Sequence, residues 1–115
     1  MTLLVIFNHQ PYDGTDVTWN ALRLIKQAQT AGFAVRVFLM NEAIDLARGQ
    51  PPPPGAEDVH AMLMEAVAAG AEVKLCKTCI GRCSVSTVPF AAGVQIGTMP
   101  ELVEWVAGSD RVLTF

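Results

Sequence analysis

Short β-rich apolar runs alternate with helical periods along the chain, and the order of these two patterns predicts the fold. Leu3-Leu4-Val5-Ile6-Phe7 is the first run. From about Thr15 to Thr30, Val17, Ala21, Leu24, Ile25 and Ala28 recur at helical spacing, with Asp16 or Thr15 as N-cap and Gly32 as the stop. A second strand is expected over Ala34 to Met40, where Val35, Val37 and Leu39 alternate with Arg36 and Phe38. Asn41 to Arg48 predicts a short helix. Gly49-Gln50 followed by Pro51-Pro52-Pro53-Pro54-Gly55 predicts a stiff, extended loop, since consecutive prolines cannot enter a helix or a ladder. A third helix over about Glu57 to Ala69 would bury Val59, Met62, Leu63, Ala66 and Val67 before Gly70 ends it, and Glu72 to Cys76 reads as the third strand. A short helical segment follows, closed near Pro89, and then a fourth strand at Gly93 to Ile96. Thr98-Met99-Pro100-Glu101 has the form of a capping box with proline inside the first turn. The helix it opens runs to about Ala107, and Arg111 to Phe115 closes the chain as a fifth strand.

Strands separated by helices imply right-handed crossovers and a parallel sheet covered on both faces. The expected fold is α/β: one domain over residues 1–115, three-layer α/β/α, with a doubly wound, mostly parallel five-stranded sheet. Sites in such sheets form outside the carboxyl ends of the strands. That edge collects Asn8, His9, Asn41, Cys76 and Gly97-Thr98. Composition agrees with a globular chain: 115 residues, 51% hydrophobic, with a formal charge of -3 and scattered Lys and Arg. These values argue against disorder and against a nucleic-acid surface. No apolar run approaches the roughly 18 residues of a membrane span. Met1 leads directly into the first strand with no basic region before it, so the expectation is a cytoplasmic, unprocessed protein with no membrane partner.

The three cysteines, Cys76, Cys79 and Cys83, are an odd number packed into one short segment, Cys76-Lys77-Thr78-Cys79-Ile80-Gly81-Arg82-Cys83. In a reducing compartment such a cluster points to catalysis or metal binding rather than to a disulfide framework. Cys76 ends a strand and precedes a helical segment, where free N–H groups, Lys77 and Arg82 would favour a thiolate. Cys76 and Cys79 have the C-x-x-C spacing that permits a short-range disulfide, and Cys79 and Cys83 would share a helix face. His9 could serve the same edge as a base or a metal ligand, although a solvated loop histidine is the simpler reading. His60 is expected to be exposed. A flavodoxin-type nucleotide site is not expected, because His9 to Asp16 contains no glycine-rich phosphate cradle.

Taken together these segments resemble the DsrE/DsrF-like sulfur-relay proteins over nearly the whole chain. The family's opening strand and proline- and tyrosine-containing loop are similar to Phe7-Asn8-His9-Gln10-Pro11-Tyr12-Asp13-Gly14, and its second strand to Val35-Arg36-Val37-Phe38-Leu39-Met40-Asn41-Glu42. Its closing segment resembles Val94-Gln95-Ile96-Gly97-Thr98-Met99-Pro100-Glu101-Leu102, Trp105 and Ser109-Asp110-Arg111-Val112-Leu113-Thr114-Phe115. The resemblance implies a persulfide carried on the cysteine that ends the third strand, here Cys76, with some relatives holding a second cysteine where Cys79 stands. It also implies an Arg-Gly pair closing the motif, whereas here Arg82 is followed by Cys83 and Ser84.

The leading expectation is a sulfurtransferase or sulfur carrier built on Cys76, Cys79 and Arg82. It would need no cofactor and would exchange sulfur with donor and acceptor proteins. The resemblance further implies a homo-oligomer, a trimer or hexamer. Two alternatives stay open: a zinc or iron–sulfur module using Cys76, Cys79, Cys83 and His9, and a dithiol redox protein.

Overall fold

A computed structural model of the chain describes residues 1–83 and 86–115. Its five strands, β1 (Thr2–Phe7), β2 (Ala34–Leu39), β3 (Glu72–Cys76), β4 (Val94–Gly97) and β5 (Arg111–Thr114), form one sheet in the order β4-β3-β2-β1-β5. Every pairing is parallel. The chain winds outward from β1 through β2 and β3 to β4, then returns to place β5 on the other side of β1. This reversal sends the last crossover to the opposite face, because each parallel connection keeps the same hand. Helices α1 (Val17–Thr30) and α2 (Val59–Ala68) pack beside each other on one face, and α4 (Met99–Ala107) covers the other. The expected doubly wound α/β fold is therefore the observed one.

Alternation along the strands sorts the core. Leu3, Val5 and Phe7 of β1 and Val35, Val37 and Leu39 of β2 are buried with Ala21, Leu22 and Ile25 of α1 and Leu63 and Ala66 of α2. On the other face Trp105 of α4 meets Phe38 edge-on at 6.3 Å, with the Arg36 guanidinium and the Lys74 ammonium stacked on its ring.

Three local details go beyond the sequence reading. The short helix expected over Asn41 to Arg48 is a 3₁₀ helix over Asn41–Ala47. Its turn is held by a buried pair in which Arg48 Nε donates to Asp45 Oδ1 at 2.8 Å. Arg48 also donates to the Val88 carbonyl and lies over the Phe90 ring, which ties the stretch after the cysteines to this segment. Secondly, α1 buries Thr18, Ala21, Leu22 and Ile25 and leaves Leu24 exposed, because α2 packs against a face rotated from the centre of the apolar arc. Thirdly, the helix after β3, α3 (Lys77–Ile80), lasts a single turn and does not extend toward Pro89.

Candidate functional site

The carboxyl edge of the sheet gathers Asn8, Asn41 and Cys76 at the ends of three adjacent strands, as parallel pairing requires. Cys76 closes β3 and is the N-cap of α3, with extended backbone and no side-chain cap bond. Cys79 is three residues on, at the N3 position, where the helical turn carries its side chain back toward the N-cap. Both thiols are free and buried, with relative exposures of 5% and 9%.

The two sulfurs are not equivalent. Burial pushes the Cys79 thiol up to about 11, the hydrogen bond it donates to Cys76 adds to this, and the backbone N–H of Asn41 acts in the opposite direction. Cys79 therefore keeps its proton at neutral pH and presents it to Cys76. The Asn41 N–H reaches Cys79 Sγ at 3.2 Å. The Asn41 side chain donates to Asn8 Oδ1 at 3.1 Å, and the Asn8 N–H donates to the Phe115 carbonyl at 2.8 Å, joining the ends of β2, β1 and the chain terminus.

Cys83 is half-buried, and its N–H donates to the Cys79 carbonyl, closing the turn. Arg82 and Lys77 are exposed. A one-turn helix sums few aligned peptide dipoles, so α3 supports a thiolate less than the longer segment expected from the sequence. His9 is exposed on the β1–α1 loop, where its charge acts on Asp13. Among the described residues no three His, Cys, Asp or Glu side chains are arranged to hold a metal ion. Ser84 lies outside the described residues. His60 is not free in solvent as expected: its Nδ1 lies 2.8 Å from the Leu46 carbonyl oxygen, bracing α2 against the 3₁₀ turn. Tyr12 has a similar role, with its hydroxyl donating to the Glu57 carbonyl and accepting from the Val59 N–H. A cleft of about 520 Å³ runs between α1 and α2, lined by Trp19, Leu22, Lys26, Gln29, Met62 and Glu65 among others; no cysteine lines it.

The whole chain, residues 1–115, matches the model of the DsrE/DsrF-like family. The chain belongs to this family. Among its relatives is the protein YchN of Escherichia coli K12, 39% identical over 116 residues that cover 98% of this chain and 97% of that one. An uncharacterised protein of Methanocaldococcus jannaschii is 30% identical, with both chains fully covered. The crystal structure of the Escherichia coli ychN protein superposes with a TM-score of 0.84 over 100% of this chain and 99% of that chain. A Bacteroides thetaiotaomicron protein of unknown function, 15% identical, shares the fold at a TM-score of 0.69, covering 99% of this chain and 94% of that one. Among the described residues of this DsrE-like chain, no helix is long and apolar enough to cross a membrane.

Asn41 and Asn8 are the site residues whose roles the sequence does not announce. Asn41 was placed on the correct edge by topology, but its bond to Cys79 depends on a backbone turn that no motif marks.

Proposed function

We propose that this DsrE-like protein is a sulfur carrier that holds sulfane sulfur on Cys76. The Cys76 thiolate attacks the outer sulfur of a donor persulfide. A new S–S bond forms at Cys76, the donor's S–S bond breaks, and the donor leaves as a thiolate. An acceptor thiolate then attacks the outer sulfur on Cys76, which departs in turn as a thiolate. Sulfur moves with no net oxidation, so no redox cofactor is needed. The observation that carries this reading is the asymmetry of the pair: Cys79 is held protonated against a Cys76 that ends β3 at the sheet's functional edge. A stored sulfur also extends the reach of a buried thiol by one S–S bond, about 2 Å, toward an acceptor. Intact-mass spectrometry after exposure to a persulfide donor is expected to show a gain of one sulfur atom on wild type and none on Cys76→Ser. An unchanged gain on Cys76→Ser would overturn the assignment; bound zinc or iron in the native spectrum would favour a metal module instead.

The same reading includes self-association. On α4, Met99, Val103 and Val106 form an outward stripe at i, i+4 and i+7, with exposures of 48%, 63% and 43%. An apolar stripe left bare by its own domain is what a second copy would cover. Light scattering is expected to give a multiple of the 12.3 kDa chain mass, reduced by Val103→Glu. A monomer at micromolar wild-type concentration would end the idea.

A further inference from the structure

Asn41 is the sole non-glycine among the described residues with a left-handed backbone, φ 53°. Asparagine accepts this region more readily than most side chains, but the conformation still has a cost that something must offset. Here the turn points the Asn41 N–H at Cys79 Sγ, and the side-chain bond to Asn8 holds it there. An N–H aimed at a sulfur stabilises the thiolate over the thiol. In the resting pair that help goes unused, because Cys79 donates its proton to Cys76. It matters once Cys76 carries sulfur, since its Sγ is then bonded to the outer sulfur and no longer takes the Cys79 proton in the same way.

We propose, on the basis of the carrier reading above, that Cys79 is a resolving thiol positioned by the Asn41 amide, and that the pair can discharge stored sulfur as sulfide. Cys79 Sγ attacks Cys76 Sγ, the inner sulfur of the persulfide. The bond between Cys76 Sγ and the outer sulfur breaks and a Cys76–Cys79 disulfide forms. The electron pair of the broken bond leaves with the outer sulfur, which takes up the Cys79 proton and departs as hydrosulfide. The Cys79 sulfur is oxidised to the disulfide level and the outer sulfur is reduced to sulfide, so one round balances within the site; a dithiol reductant then restores both thiols. The N-cap and N3 placement suits this bond. The two thiols already lie within hydrogen-bond reach of each other, and disulfide bonding asks for Cβ atoms roughly 4 Å apart. Asn41 is a positioning residue in this scheme: it touches the attacking sulfur through its backbone and receives no group.

The test uses the full-length reduced protein, loaded anaerobically with glutathione persulfide and freed of excess donor by gel filtration. Wild type is expected to release one sulfide per loaded chain, in step with loss of the extra sulfur mass and with appearance of a Cys76–Cys79 peptide link. Cys79→Ser should load fully and keep its sulfur, releasing it more than about tenfold more slowly, a barrier change of ~1.4 kcal/mol or more. Asn41→Gly, which tolerates the left-handed backbone but loses the bond to Asn8, should release sulfide more slowly than wild type and faster than Asn41→Ala. Asn41→Ala, which does not tolerate that backbone, should load normally but release more slowly still, with its rate-against-pH curve moved to higher pH. A merely structural role for Asn41 would not separate the two variants in this way. Sulfur retained on wild-type Cys76 beside a free Cys79 thiol, or release from Cys79→Ser at the wild-type rate, overturns this step and leaves the carrier reading standing. Failure to load any sulfur on Cys76 overturns the carrier reading and this step with it.

Discussion

Two strand-to-helix turns lie side by side at the functional edge, with Cys76 and Gly97 paired in register, and they use the same backbone plan for opposite ends. In the β4–α4 turn, the Thr98 hydroxyl accepts from the Glu101 N–H at 3.4 Å and the Glu101 carboxylate accepts from the Thr98 N–H at 3.1 Å. Pro100 sits in the first turn, and Lys74 Nζ donates to Glu101 Oε2 at 2.5 Å. Each of these polar tips is bonded within the turn or to Lys74, and the helix runs for nine residues. In the β3–α3 turn thiols occupy both positions, the N-cap side chain makes no capping bond to the backbone, and the helix lasts four residues. A hydroxyl or carboxylate there would be absorbed into capping. Sulfur is a weak acceptor of backbone N–H groups, so the N-cap thiol is left out of capping. The difference separates a capped turn from an uncapped one by residue type alone.

The contrast can be broken most sharply at Cys76. Replacing it with Ser supplies an N-cap hydroxyl while removing the sulfur, so alkylation by iodoacetamide at about pH 6.5 should be lost at this position. Stability should change by no more than about 1 kcal/mol, as the new cap offsets lost packing of the sulfur. Urea unfolding alongside peptide-resolved labelling measures both. Thr98→Ala is expected to do the reverse, lowering stability by about 1 kcal/mol in the same unfolding experiment with sulfur loading intact. A loss of loading here would show that the two turns are not separable.

The smallest effect concerns acid. Lys74 and then Thr98 hold the Glu101 carboxyl below its ordinary value of 4.5. A lowered folded-state value means the charged form stabilises the fold above that range, and the contribution is lost as pH falls through the lower, folded value. Glu101→Gln should therefore be less stable than wild type near neutrality, with the two melting curves converging below about pH 4. Parallel curves at all pH values would remove Glu101 from the acid response.

The elements of this fold were legible because their signals are local. The Leu3–Phe7 run, the alternation in Val35–Leu39 and the Thr98–Glu101 box each declare an element without reference to the rest of the chain. The place of Cys76 at the end of β3 was legible for a related reason: a strand end in a parallel sheet is fixed by counting alternations. What was hidden depends on partners distant in sequence. Leu24 fits the helical period as well as Leu22 does, and only the position of α2 decides which is buried. His60 looks solvated until the Leu46 carbonyl is brought to it. The 3₁₀ form of Asn41–Ala47 follows from the Asp45–Arg48 pair and the neighbouring Val88 and Phe90, which lie about forty residues on. The inequality of Cys76 and Cys79 was the subtlest case, since it rests on the burial of Cys79 in the folded chain, which the amide of the left-handed Asn41 only partly opposes.

Gly97 pairs with Cys76 across the sheet, and a single methyl group added to it would come within 3.0 Å of both the Lys74 side chain and the Phe38 ring. Those same two groups hold Glu101 and Trp105 of α4. One carbon at that point would thus press on the outer helix as well as on the strand that ends in the thiol. When relatives are sorted, or when a library of variants is drawn, this position carries weight although it lies off the cysteine segment. A survey that weighs only the cysteines would pass over chains in which Lys74 and Phe38 must shift to make room beside the strand that ends in Cys76.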